Sequence, residues 1–155
     1  MTIRTKQEIG KRGEEIAAEF LERKGLRIVE RNYHCRWGEL DLVAVDLNEE
    51  ETDHALCAET DETLVQDLPG ERLRRKYELA CKKNRIHFVE VKTRTGAAYG
   101  SPGEAVTYTK QQKIKKTALT WLQDQPAYFS DISFDVIEIR VDGGTAKIRW
   151  LQHCF

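Results

Sequence analysis

HFVEVKTRTG, residues 87–96, starts as a strand and ends in charge. In an extended chain Ile86, Phe88, Glu90 and Lys92 share one face, and His87, Val89 and Val91 share the other. One face therefore passes from two large apolar side chains directly to a carboxylate and an ammonium. Either the sheet meets water there, or the two charges serve chemistry. The rest of the chain is read outward from this strand.

Upstream, LRIVERN (26–32) and GELDLVAV (38–45) read as strands joined through the turn region HCRWG. Before them Thr5 to Gly25 reads as a helix. Thr5 and Glu8 form a capping box, Lys24 lies in the last turn and Gly25 supplies the stop. Ile9, Gly13, Ile16, Ala17, Phe20 and Leu21 make its buried stripe. Downstream, a Gly-rich loop (TRTGAAYGSPG) leads to a second helix, 109–123, with a cap at Thr109 and Gln112 and a stripe of Ile114, Ala118, Trp121 and Leu122. SFDVIEIRV and AKIRWL are strands joined by Asp142-Gly143-Gly144, a hairpin turn signal. The order α-β-β-β-α-β-β predicts an α/β fold, a mixed central sheet flanked by helices.

The chain has 155 residues, which fits one domain spanning 1–155 with a proper core. No apolar run reaches membrane-crossing length, and the first residues carry no apolar signal segment, so a cytoplasmic protein is expected. Cys35, Cys57, Cys81 and Cys154 form no close pairs, and His34, His54, His87 and His153 share no metal spacing. The cysteines read as reduced thiols. The net charge of −1 hides an uneven spread: residues 47–84 carry −4 and the remainder +3, and residues 47–71 hold nine acids without a Lys or Arg. Residues 47–85 thus read as an acidic insertion between two core strands, its acidic half disordered and ERLRRKYELACKK a short helix.

Four charged positions stand out. On GELDLVAV, Leu40, Leu42 and Ala44 face one way, while Asp41 lies among Val43 and Val45 on the other. Burying an ionised carboxylate is costly unless it is paired or bound to a metal. The same holds for Glu90 and Lys92. Glu14 falls at the margin of the first helix's stripe, where packing on the sheet aims it at the strand ends. An Asp followed by Glu-x-Lys on adjacent strands is what metal-dependent phosphodiester cleavage needs. Hard oxygens hold Mg2+ or Mn2+ at a phosphate, and a lysine beside them orients water or stabilises developing charge. A lone Glu-x-Lys is weak evidence, however. On geometry alone an ion pair of Glu90 with Lys92 or Arg94, partly wet and purely structural, weighs about equally.

KRGEEIAAEFLERKGLRIVERNYHCRWGELDLVAVD, HFVEVKTRTGAAYGSPGEAV, KQQKIKKTALTWL, FDVIEI and WLQHCF, in that order, resemble the YraN family. These are small bacterial proteins of the restriction-endonuclease-like superfamily, similar in core to archaeal Holliday-junction resolvases. The resemblance covers nearly all of the chain except 47–85, where the family has a short turn. It implies a restriction-endonuclease-like αβββαβ core with Asp41, Glu90 and Lys92 at the catalytic positions. It also implies Glu14, Asp41 and Glu90 as ligands of Mg2+ or Mn2+. Lys110 and Gln111 match family positions at the start of the second helix. By analogy with resolvases it implies a C2 homodimer.

Arg12, Arg94, Lys110, Gln111 and Lys113 are the residues expected to bind nucleic acid, each neutralised phosphate adding about one unit to the salt slope. The Gly-rich loop lacks the Gly-Lys-Ser/Thr ending of a phosphate-binding P-loop. Trp37, Trp121 and Trp150 read as packing residues, Tyr99 as core, and Asp135 as structural. The expected function is a metal-dependent nuclease on DNA guided by structure rather than base sequence. The alternative is a nucleic-acid-binding module that keeps the site with little turnover.

Overall fold

A computed structural model of the chain describes residues 5–52, 82–95, 106–125, 129–142 and 144–155. Helix α1 spans Lys6–Arg23, strands β1 and β2 span Arg27–Cys35 and Gly38–Thr52, and β3 spans Lys82–Thr95. Helix α2 covers Tyr108–Gln123, followed by β4 at Asp131–Asp142 and β5 at Thr145–Leu151. The strands form one sheet in the order β1-β2-β3-β4-β5. Its pairings are antiparallel except for β3 with β4, which run parallel, and α2 lies in the connection between those two. This is the mixed α/β sheet that the element order predicts.

The ends of α1 follow from local chemistry. The Thr5 side chain accepts from the Glu8 amide while the Glu8 carboxylate accepts from the Thr5 amide, which completes the capping box. At the other end Gly25 takes φ +89°, a conformation that favours glycine. The start of α2 differs from the sequence expectation. Thr107 rather than Thr109 is the cap, its hydroxyl accepting from the Lys110 amide, so the helix begins one residue earlier.

Each face of the sheet carries its own apolar layer. On the α2 face Val43, Val45, Ile86, Phe88 and Val136 pack with Ile114, Ala118 and Trp121. Phe88 is the hub: it stacks on Phe134 and meets Trp121 edge-on. On the α1 face Leu42, Ala44, Val89, Ile137 and Ile139 pack with Ala17, Ala18 and Leu21. Burying each such large side chain stabilises the fold by about 1.5–3 kcal/mol.

Leu40 corrects the expected alternation. It packs with Val43 and Val45, not with Leu42 and Ala44. The ladder pairs Arg31↔Leu42 and Tyr33↔Leu40 bracket Asn32 and Asp41, and Asn32 has φ +53°. The left-handed turn of β1 at Asn32 lies opposite the point where β2 carries Leu40 and Leu42 to different layers, so both strands leave regular extended geometry there and strict period-two counting fails at Asp41.

The boundaries of the insertion also shift. β2 continues to Thr52 and β3 starts at Lys82, with Thr52 paired to Lys82, so both ends of 47–85 are strand. Lys82 therefore does not end a helix. The expected disorder of the acidic half is replaced by strand up to Thr52, and the rest of it, most of the expected helix and Tyr99 lie outside the described residues.

Gly13 sets how closely α1 approaches the sheet. A Cβ built there would overlap the Thr93 hydroxyl and lie 3.0 Å from Thr93 Cβ. Gly13→Ala is therefore expected to push α1 off β3 and lower stability by about 1–3 kcal/mol, read by urea unfolding. Adding Thr93→Ala to that variant should recover part of the loss.

Candidate active site

The backbone ladder between β2 and β3 runs through Val43↔Phe88 and Leu42↔Val89 and stops there. The next step is made by a side chain: the Val91 amide donates to Asp41 Oδ2 at 2.7 Å. The strands part at Asp41, and its carboxylate bridges the opening.

Glu90 stands beside this opening on the α2 face and is only 4 % exposed. Its Oε1 accepts from Lys92 Nζ at 2.6 Å and also from Lys110 Nζ, which reaches down from the first turn of α2. The ion pair between Glu90 and Lys92 is thus present, and Lys110 joins it. Glu14, on α1, lines a cleft with Gly10, Val91, Lys92 and Thr93 on the far side of the same opening.

Asp41 responds to this surplus of acid. Burial, then the charge of Glu90, with Glu14 adding to it, push its pKa up to about 7. The Val91 amide and Lys110 pull the other way without cancelling the rise. Lys110 is itself held above the ordinary lysine value: burial opposes its charge, but Glu90 and Asp41 outweigh burial. The sign for stability follows. Between pH 4 and pH 7 the folded chain holds a proton on Asp41 that the unfolded chain has released, so stability falls as pH rises through that window. Urea midpoints should show this decline in the wild type and a flatter curve in Asp41→Asn. Mg2+ or Mn2+, if bound here, should reduce the decline.

The expected nucleic-acid residues take different places. Lys110 is committed to Glu90. Gln111 donates its amide to the Val106 carbonyl at 3.1 Å and so braces the entry to α2. Arg12 pairs with Glu15 on the outer surface of α1. Arg94 is half-buried near the end of β3. Lys113 lines a second cleft with Lys110, Gly38, Glu39 and His34, between α2 and the β1–β2 hairpin.

The donor set consists of hard carboxylate oxygens, the type Mg2+ and Mn2+ take, and the raised Asp41 pKa reflects its burial and the neighbouring Glu90 and Glu14 charges. Convergence is looser than expected: among the described residues no three His, Cys, Asp or Glu side chains are grouped as ligands of one ion. Mg2+ commonly uses one or two protein carboxylates with water and substrate phosphate completing its shell, which Asp41 and Glu90 fit.

One polar centre was underestimated by the sequence reading. Asp135 is fully buried on β4 and accepts from the Trp150 indole at 2.9 Å, from the Ser133 hydroxyl and from the His153 amide at 3.1 Å, with His87 Nδ1 at 2.7 Å. The signal was available: an Asp between Phe134 and Val136 in a central strand has to be paired.

The parted strands with an Asp and a Glu-x-Lys at the opening define an α/β protein whose charged site sits at the mouth of a mixed sheet. The model of "Uncharacterised protein family UPF0102" matches residues 13–139, and the chain belongs to that family. A UPF0102 protein of Syntrophomonas wolfei is 38% identical, over 96% of this chain and 98% of the relative. Those of Nocardia farcinica and Pelobacter propionicus are 39% and 40% identical, over 90% and 94% of this chain and 81% of each relative. No described helix is long and apolar enough to cross a membrane.

Proposed function

We propose that the chain is a metal-dependent endonuclease acting on DNA phosphodiester bonds, directed by DNA structure rather than base sequence. The carrying observation is the cluster at the strand opening: buried Glu90 under two ammonium groups, beside an Asp41 whose pKa is raised to about 7. Perturbed carboxylates at a cleft are what hydrolytic sites are built from. Asp41 and Glu90 would hold Mg2+ or Mn2+, with Glu14 assisting from α1; bound there, the cation supplies Lewis acidity and an activated water. Lys92 and Lys110 stabilise negative charge gathering on the phosphate. Asp41 must release its proton to serve as a ligand, so cation binding expels that proton and is expected to tighten as pH rises.

A second reading, a nucleic-acid-binding module with little turnover, has one observation in its favour. Both ammonium groups sit on Glu90 Oε1, where a cation would have to compete. Mn2+-dependent cleavage of branched and linear DNA separates the two. Cleavage lost in Asp41→Ala and Glu90→Ala supports the nuclease; metal-independent binding without cleavage supports the module. Equal cleavage by both variants overturns the assignment of this site.

A further inference from the structure

Trp37 occupies the two-residue turn between β1 and β2 and is 39% exposed, unlike Trp121, which is buried at 3%. It is not the packing residue that its composition class predicts. Two cations attend its ring. The Arg36 guanidinium carbon lies 4.6 Å from the ring centroid and Lys116 Nζ lies 5.0 Å away. The Trp37 backbone amide also donates to Cys35 Sγ, which tightens the turn. An exposed indole costs a soluble protein surface, and here it is presented on a tight turn with a guanidinium and an ammonium on its ring.

The position links this ring to the site. Gly38, next to Trp37, and Lys110, which holds Glu90, line the same cleft, with Lys113 between them on α2. Among the described lining residues the one acid, Glu39, is paired with His34 at 3.6 Å. A path of positive groups therefore runs from Glu90's lysine along α2 to an aromatic platform. A charged backbone with flat bases matches both features: phosphates meet the ammonium groups, and a base stacks on the indole.

We infer that Trp37, flanked by Arg36 and Lys116, is a stacking platform for unpaired nucleotides, which makes the substrate a nucleic acid with a single-stranded or branched segment next to the bond at Glu90. This rests on the nucleic-acid reading of the site and deepens it. On binding, the cations move from the ring face to neighbouring phosphates while a base takes their place. A protein ligand would need a broader apolar surface than one ring at a turn.

Binding of oligothymidylate is the test, measured by tryptophan fluorescence and anisotropy in chelator, in an Asp41→Asn background where cleavage plays no part. Expected are quenching of the wild-type signal and a loss of affinity of about 5- to 150-fold in Trp37→Ala, the range for one base stacked on an aromatic ring. Trp37→Phe should keep most of the affinity, and Lys116→Ala should lower the salt slope by about 0.7. Circular dichroism checks that the variants fold. Absent quenching, unchanged affinity in Trp37→Ala, or an equal loss on blunt duplex overturns the platform. Failure of the nuclease reading looks different: the Trp37 effect persists while metal-dependent cleavage is absent.

Discussion

Glu90→Ala is expected to abolish cleavage and to destabilise the fold by about 3 kcal/mol, the lower end of the penalty for stripping a partner from a buried ion pair. The lower end applies because Lys92 and Lys110 remain about one-third exposed and regain some water, whereas Glu90 is 4% exposed. Without Glu90 two ammonium groups face each other across the opening. Glu90→Gln separates the two effects. The amide keeps the shape but cannot neutralise both lysines, so stability falls less, while turnover drops on the order of 100-fold or more, as when one transition-state electrostatic group is removed. Asp41→Asn should match it in turnover yet gain stability near pH 7, because no carboxylate then needs to stay ionised among acids. Both freed lysines in Glu90→Gln should also tighten DNA binding and steepen its salt dependence. Single-turnover cleavage, urea unfolding and a salt titration read all three. Cleavage unaffected by Glu90→Gln and Asp41→Asn together sinks the catalytic assignment.

The sequence was informative where one period ruled. The stripes of α1 and α2 and the strand HFVEVK are regular, and the face that carries Phe88, Glu90 and Lys92 is the one that meets α2. Reading failed where a backbone exception intervened. Asn32 at φ +53° lies opposite the point where Leu40 and Leu42 part to different layers, and period-two counting holds no signal for such an irregularity in either strand. The family resemblance directs Lys110 toward the site or a phosphate, but its ion pair with Glu90, twenty residues earlier, has no sequence pattern and is fixed only by how α2 crosses the sheet. The Gln111 bond to the Val106 carbonyl was equally illegible, because it reaches a loop end with no sequence pattern. Trp37 reads as a packing residue because tryptophan is highly buried on average, yet a turn of two residues leaves it no layer to enter.

Asp135→Ala is expected to be the most damaging substitution for stability, at about 3–5 kcal/mol, through a mechanism unrelated to catalysis. The carboxylate is fully buried, yet its pKa is held below the usual range. Burial alone would raise it; the hydrogen bonds from His87 and Ser133, together with the His87 charge and the His153 amide, outweigh burial. Alanine leaves the His87 ring and the Trp150 indole without their acceptor, each unmet buried donor costing about 1–3 kcal/mol, while the Ser133 hydroxyl keeps His153 Nδ1 at 3.2 Å. The loss reaches β5, because Trp150 lies on that strand and the following His153 amide is tied to the same carboxylate. The pH dependence has the opposite sign to that of Asp41. Asp135 has a depressed folded pKa, so its contribution is present above the ordinary carboxylate pKa and is lost as pH falls through the folded value. The wild type should lose stability in acid, Asp135→Ala should show less of that loss, and thermal melts from pH 3 to pH 7 measure both. Asp135→Asn retains an acceptor and should fall between them. A melting curve for Asp135→Ala that matches wild type throughout would show that this network does not hold β4 and β5 together.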